Sequence, residues 1–115
     1  MKNNERDIVR LNHIKDAISL IQQFTKGVTI GRFMKDQMRQ AAVIREFEII
    51  GEAVGKISKK MQRDYPNVEW AKINGFRNLL IHEYFRVDTG EIWATIQIDI
   101  PILKEQIAEI ITDLA

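Results

Sequence analysis

The chain has 115 residues, a formal net charge of +1 and no cysteine. This length suits one compact domain, and we expect residues 1–115 to form a single one. The lack of cysteine excludes disulfide bonds, thiolate metal ligands and a cysteine nucleophile. The balanced charge includes no basic tail of the kind that by itself indicates nucleic-acid binding.

Two further features of the sequence indicate in which cellular compartment the protein acts. The longest apolar run has four residues, Ala41 to Ile44, whereas a membrane-spanning helix needs about 20. The first seven residues are mostly polar or charged and do not contain the apolar core of a secretory signal. We therefore expect a cytoplasmic protein.

The first predicted element is an amphipathic helix over about residues 4–26. Its apolar residues lie three or four positions apart, which places them on one face of a helix. They are Ile8, Leu11, Ile14, Ile18, Ile21 and Phe24. Gly27 is suited to end this helix, and Thr29 is suited to cap the next one.

A second apolar stripe with the same period runs from Phe33 to Met61. It predicts a long helix that breaks or bends near Asp36. The helix must end before Pro66, because the residue that precedes a proline avoids helical backbone angles. Three methionines on this stripe are expected in the core: Met34, Met38 and Met61.

The region after residue 66 is expected to hold two short helices. Asn67 is suited to cap the first, which contains Trp70, and Asn74-Gly75 predicts a turn after it. The stretch Phe76–Phe85 then forms a second short helix or a helix end.

The last predicted helix begins at Asp88, which has the spacing of a capping box with Glu91. Its apolar stripe extends from Ile92 to Leu114, and Pro101 inside it is expected to produce a kink. No segment of useful length alternates with the period of a β-strand. The fold class is therefore all-α, an antiparallel bundle of four or five helices.

Of the two histidines, His82 is the better candidate for chemistry. His13 lies off the apolar stripe of its helix and is expected to be a solvated surface residue. His82 lies four residues after Asn78, so that the two share a helix face. Arg77 lies five residues before His82, about 140° around a helix. Their side chains converge only if the helix ends or distorts between them, or if a partner chain completes the site, so a purely structural His82 stays open.

The spacing Arg-x4-His-x-Tyr of Arg77, His82 and Tyr84 is accompanied by further stretches in a fixed order. These are Ala42-Val43-Ile44-Arg45, Ile49-Ile50-Gly51-Glu52-Ala53, Trp70-x2-Ile73-x-Gly75, Val87-Asp88 with Trp93, and Pro101-x-Leu103. Together they resemble the HEPN superfamily and, more narrowly, the HepT-type ribonuclease toxins. The resemblance extends over nearly the whole chain and implies a HEPN-like helical bundle.

The resemblance implies a metal-independent endoribonuclease, the toxin of a toxin–antitoxin system, with no cofactor and no bound metal. Arg77 and His82 are then the catalytic residues, with Asn78 as an auxiliary group that orients His82 or holds phosphate. An imidazole can remove the proton of an RNA 2′-hydroxyl, and a guanidinium can hold the phosphate. One chain offers one candidate histidine, so a homodimer is expected to supply the second. The apolar content of 45% also favours a homodimer.

Tyr84 has a separate implied role. In this family, the tyrosine of the motif accepts AMP groups from a partner nucleotidyltransferase, the antitoxin. AMP on Tyr84 would bring phosphate charge beside Arg77 and His82 and block the access of RNA. On the residues alone, an amphipathic aromatic at the edge of the core stays open.

Two other functions stay open at this point. The chain could be a non-catalytic partner that binds nucleotide or substrate for a nucleotidyltransferase, in which case the motif binds phosphate only. It could also be a plain structural dimer. The intact Arg77, His82 and Tyr84 favour the enzyme over both.

The remaining candidate residues have structural interpretations. Glu48, Glu52 and Lys56 lie at helical spacing with Arg45 before them, which indicates salt bridges rather than a metal site. The pattern Gly51-x3-Gly55 indicates a close approach of two helices. The two tryptophans are expected in the core or at a dimer interface rather than as platforms for stacked bases: Trp70 and Trp93.

Overall fold

The computed structural model describes residues 3–83 and 87–115, and the regular structure within these ranges is helical. The prediction of an all-α bundle is confirmed. The helices are α1 (Asn3–Thr25), α2 (Ile30–Lys35), α3 (Gln37–Gly55), α4 (Lys59–Asp64), α5 (Trp70–His82), α6 (Thr89–Ala94) and α7 (Ile100–Leu114). A π-helical turn, Thr95–Asp99, joins α6 to α7.

The core forms where α1 packs against α3 and α7. The predicted stripe of α1 is the reason, because Leu11, Ile14 and Ile21 are fully buried. Helix α3 also packs against α5, while α2 packs against α3 and α6. The candidate residues on α5 are therefore held by a helix that is itself anchored in the core.

The predicted break at Asp36 is confirmed, since α2 ends at Lys35 and α3 begins at Gln37. The Asp36 carboxylate caps α3 by accepting a hydrogen bond from the backbone N–H of Arg39 at 3.0 Å. The Arg39 guanidinium contacts the same carboxylate at 3.1 Å and also donates to the carbonyl of Phe24. The hydrogen bond from the Arg39 backbone is the main reason that the pKa of Asp36 is lowered.

The prediction of one continuous helix from Asp36 to the region before Pro66 is wrong, because α3 ends at Gly55 and α4 begins at Lys59. Ser58 caps α4, and its hydroxyl accepts a hydrogen bond from the Met61 N–H at 3.2 Å. Ser58 is in turn held by buried Asp7 of α1, to which it donates from its backbone N–H at 2.9 Å and from its hydroxyl at 2.6 Å. A contact between distant parts of the chain thus creates a helix start.

The predicted turn at Asn74-Gly75 is also wrong, since α5 runs continuously from Trp70 to His82. Phe76 packs edge-on against Phe47 of α3, with ring centroids 5.3 Å apart, and this packing keeps the helix intact through the glycine. Asn67 does not cap α5. Glu69 occupies the N-cap position, where its side chain makes no capping hydrogen bond with any described residue.

The start of the last helical segment is as predicted, because the Asp88 carboxylate accepts a hydrogen bond from the Gly90 N–H at 2.8 Å and caps α6. The disturbance expected at Pro101 takes the form of the π-helical turn just before it. Pro101 itself lies in the first turn of α7, where a missing backbone N–H is tolerated.

The expectation that all three methionines lie in the core is wrong for two of them. Met61 is buried, but the side chains of Met34 and Met38 are 45% and 86% exposed. The break at Asp36 resets the helical phase, so that Phe33 alone of the α2 residues is buried and packs on the ring of Trp93 at 5.1 Å. The core interpretation of the tryptophans is confirmed: Trp70 is buried, and Trp93 packs half-buried against the core.

Candidate functional site

The candidate catalytic residues lie on the second half of α5. Arg77 and Asn78 follow each other there, and His82 is the last residue of the helix. Arg77 is half-buried, whereas Asn78 and His82 are exposed. Tyr84 lies outside the described residues, so its role stays a prediction.

Arg77 is buried along its stem and free only at its tip. Its Cβ, Cγ and Cδ atoms lie directly against the backbone of Gly51 on α3. Its Nε atom is shielded from solvent and has no hydrogen-bond partner among the described residues. At the tip, Nη1 donates to the side-chain oxygen of Asn78 at 3.2 Å. Asn78 therefore orients the Arg77 guanidinium. This contact differs from the roles expected from the sequence, orienting His82 or holding phosphate, which stay predictions.

His82 is presented to solvent at the end of α5. The helix closes there because the backbone N–H of Glu83 donates to the carbonyl of Leu79 at 2.9 Å. The neighbouring residue Ile81 is 41% exposed, so an apolar side chain next to the histidine in sequence is in contact with solvent. By contrast His13 on α1 is exposed as predicted and lies apart from these groups in sequence.

Arg77 and His82 do not share a helix face. Because α5 is continuous through both residues, the five intervening steps place their Cα atoms about 140° apart around the helix axis. The two side chains could converge if the helix ended or were distorted between them, or if a second chain completed the site. In the described part of the chain, α5 neither ends nor is distorted between the two residues. The remaining condition is a second chain that completes the site.

Glu48 and Glu52 of α3 pair with basic neighbours as predicted, one on α3 and one at its C-cap. Lys56 contacts Glu52 at 3.6 Å, and Arg45 contacts Glu48 at 3.9 Å. Within residues 3–83 and 87–115 no group of three or more metal-ligating side chains is placed to hold an ion. The pKa of Glu46, on the same helix, is raised because burial disfavours its charged form.

The sequence predicts one contact at the site only in general terms. The pattern Gly51-x3-Gly55 indicates that two helices approach closely, and α3 and α5 do so. The sequence does not indicate that the residue lying on Gly51 is Arg77, because the two residues are 26 positions apart and their contact depends on how α3 and α5 are aligned.

Comparison with known proteins shows the family to which this chain belongs. The family model described as ribonuclease HepT-like matches residues 14–110, which include all of α5. The chain belongs to this family. No solved structure matches it.

Similar proteins occur in archaea and bacteria. A probable ribonuclease HepT of Thermococcus cleftensis is 41% identical over 104 residues, covering 90% of this chain and 93% of that protein. A protein named as a putative RNase in Caldanaerobacter subterraneus is 40% identical over 101 residues, covering 88% of this chain and 90% of the relative.

A third relative is longer. The protein named gamma-glutamylcyclotransferase and putative RNase in Methanocaldococcus jannaschii is 40% identical over 106 residues. The match covers 92% of this chain but only 48% of that protein, so the chain spans about half the length of this relative. Within the described residues, no helix has both the length and the apolar character needed to cross a bilayer.

Proposed function

We propose that residues 1–115 act as one domain of a metal-independent endoribonuclease, the toxin component of a toxin–antitoxin system. The observation that carries this proposal is the tip of Arg77 and the ring of His82 reaching solvent from one helix in a chain of the HepT-like family. The relatives named as ribonucleases support RNA as the substrate. Its site of action is then the cytoplasm.

The two side chains suit cleavage of RNA by its own 2′-hydroxyl. In this reaction, the 2′-oxygen bonds to phosphorus, the bond from phosphorus to the 5′-oxygen breaks, and a 2′,3′-cyclic phosphate remains. A neutral His82 takes the proton from the 2′-hydroxyl as general base. The Arg77 guanidinium binds the phosphate and stabilises the charge that builds up on its oxygens.

The reaction also needs an acid to protonate the leaving 5′-oxygen, and a second copy of the chain supplies one. We propose a two-fold homodimer that brings both His82 rings to one cleft, one as base and the other, protonated, as acid. Three exposed isoleucines support an interface with a second chain, because each leaves apolar surface in water. They are Ile81 on α5, Ile98 in the π-helical turn and Ile102 on α7, which are 41%, 62% and 53% exposed.

Tyr84 is the proposed point of control. It lies two residues after His82 in the sequence, and a partner nucleotidyltransferase, the antitoxin, transfers AMP to its hydroxyl. Each added phosphodiester brings about one negative charge close to Arg77, where it competes with RNA phosphate for the guanidinium. Inhibition then follows from charge and bulk together.

The nuclease assignment is tested by incubating the purified protein with RNA in EDTA. We expect cleavage by the wild type and by His13→Ala, a matched control on the other histidine, and no cleavage by His82→Ala. Loss of cleavage in EDTA would reject the metal-independent mechanism. A wild type that binds RNA or nucleotide without cleaving it would favour the non-catalytic partner instead.

The modification is tested with the cognate nucleotidyltransferase and ATP. Intact-mass spectrometry should show addition of AMP to the wild type and to Tyr65→Phe, the control for the other tyrosine. Tyr84→Phe should gain no mass and should keep cleaving RNA in the presence of the partner. An equal mass gain on Tyr84→Phe would reject Tyr84 as the acceptor.

A further inference from the structure

The backbone of Gly51 forms a notch that is filled by the stem of Arg77. A Cβ atom placed on Gly51 would lie 2.1 Å from the Cβ of Arg77, 2.4 Å from its Cγ and 3.1 Å from its Cδ. Ordinary contacts of such atoms begin near 3.4 Å. Any other residue at this position would therefore displace the arginine or the helix that carries it.

This contact is specific to one of the two glycines of α3. Gly55 lies one helical turn later, and among the described residues a Cβ there would meet only the side-chain oxygen of Asn74 at 3.7 Å, an ordinary contact. Gly51 is buried, whereas Gly55 is exposed at the end of the helix. The two positions share a helix and a residue type but differ in whether they touch Arg77.

The notch also determines which part of the guanidinium can act. With the stem pressed on Gly51, Nε is shielded from solvent and has no partner in the described ranges. Nη1 is held by Asn78 at 3.2 Å. The terminal nitrogens, and not the edge that includes Nε, are thus the donors that remain for a phosphate.

We propose that Gly51 is a positioning residue for RNA cleavage, because its missing side chain fixes the Arg77 stem so that the terminal nitrogens of the guanidinium grip the phosphate end-on. This inference rests on the proposed nuclease function. It adds a residue on α3, outside the Arg-x4-His-x-Tyr motif, to the machinery that the reaction requires.

The activity test compares Gly51→Ala with Gly55→Ala at saturating RNA, with each rate divided by the folded fraction from circular dichroism. The new methyl group must move the Arg77 stem by roughly 1 Å, and a misplacement of that size costs about 10²-fold in rate. We expect kcat to fall by about that factor in Gly51→Ala and to stay within about twofold of wild type in Gly55→Ala. Equal kcat in the two variants would overturn the proposal.

A second readout does not depend on RNA cleavage. The ¹⁵N-bound Nε proton of Arg77, identified as the signal that disappears in Arg77→Lys, should exchange slowly with water in the wild type and in Gly55→Ala. It should exchange rapidly in Gly51→Ala. Rapid exchange in the wild type, or slow exchange in Gly51→Ala, would overturn the positioning role.

The two readouts separate the possible failures. If the wild type cleaves no RNA, the nuclease function fails, and the Nε exchange still decides whether Gly51 fixes Arg77. If Gly51→Ala folds too poorly to assay, the substitution should cost clearly less stability when added to Arg77→Gly than when added to the wild type, because Arg77→Gly lacks the Cβ atom that the methyl group meets. An equal cost in the two backgrounds would show that the notch does not hold Arg77.

Discussion

The two ends of α5 have opposite characters. At the first end, Trp70 is buried, and its indole N–H donates to the carbonyl of Tyr65 at 3.0 Å. At the last end, His82 is exposed and ends the helix. The first end fixes where the helix lies, and the last end presents polar groups to solvent. Separation of this kind lets a site carry groups that add little to stability, because the anchoring is done elsewhere on the same element.

We expect the strongest change of all in RNA cleavage, from a substitution at the last end of α5. His82→Ala should lower the rate of RNA cleavage by more than about 10²- to 10⁴-fold, the usual contribution of one general acid or base, because in the proposed dimer the substitution removes both the base and the acid. The free energy of unfolding should change by less than about 1 kcal/mol, because the side chain is exposed. Cleavage assays and urea unfolding check the two halves of this prediction. A large loss of stability would show that His82 is structural.

The first end of α5 should respond in the opposite way. Trp70→Ala removes a buried ring and its hydrogen bond, and we expect a loss of about 3–5 kcal/mol in unfolding free energy. Trp70→Phe, which keeps a large ring, should lose clearly less. The rate of cleavage per folded molecule should stay near that of the wild type, as measured at a temperature where the variant is folded. A loss of cleavage rate per folded molecule would show that Trp70 also affects catalysis at the other end of α5.

A smaller effect is expected where the first end of α5 is tied to α1. Asp7 holds Ser58 at the start of α4, and the carbonyl of Tyr65 at the end of α4 accepts the Trp70 hydrogen bond. Asp7→Ala should cost about 1.5–3 kcal/mol, the range for hydrogen bonds to a charged group. Asp7→Asn, which can still accept one of the two bonds, should cost less. Urea unfolding of both variants measures the difference.

The smallest effect concerns the Tyr65 hydroxyl, which donates to the Asp113 carboxylate of α7 at 3.0 Å. This hydrogen bond raises the pKa of Tyr65. Because the folded pKa lies above the unfolded value of about 10, the stabilisation is complete below pH 10 and is lost as the pH rises through the folded pKa. Wild type should therefore exceed Tyr65→Phe in thermal stability at pH 7, and the gap should close in strong alkali. A gap that widened with pH would contradict this assignment.

Much of the fold could be predicted because it depends on local patterns. The stripe of α1, the break at Asp36 and the cap at Asp88 each follow from neighbouring residues. The missed features depend on tertiary contacts. Ser58 starts a helix because Asp7 reaches it from 51 positions away, and the packing of Phe76 on Phe47 carries α5 through a glycine that favours a turn.

The same distinction between local patterns and tertiary contacts applies to the candidate site. The motif identifies Arg77, Asn78 and His82 as candidates, because they are close in sequence. Their different surroundings could not be predicted, since the burial of the Arg77 stem comes from its contact with Gly51 across two helices. Tyr84 lies outside the described residues, so its place relative to the other groups stays a prediction.

The proposed nuclease site is built from two copies of α5, with one His82 from each chain. Wild type and His82→Ala are refolded together in equal amounts so that subunits exchange at random, and RNA cleavage is measured at fixed total protein. If both histidines are needed, only dimers of two wild-type chains cleave, and activity falls to about one quarter of the unmixed wild type. Activity of about one half would show that each chain works alone and would contradict the composite site.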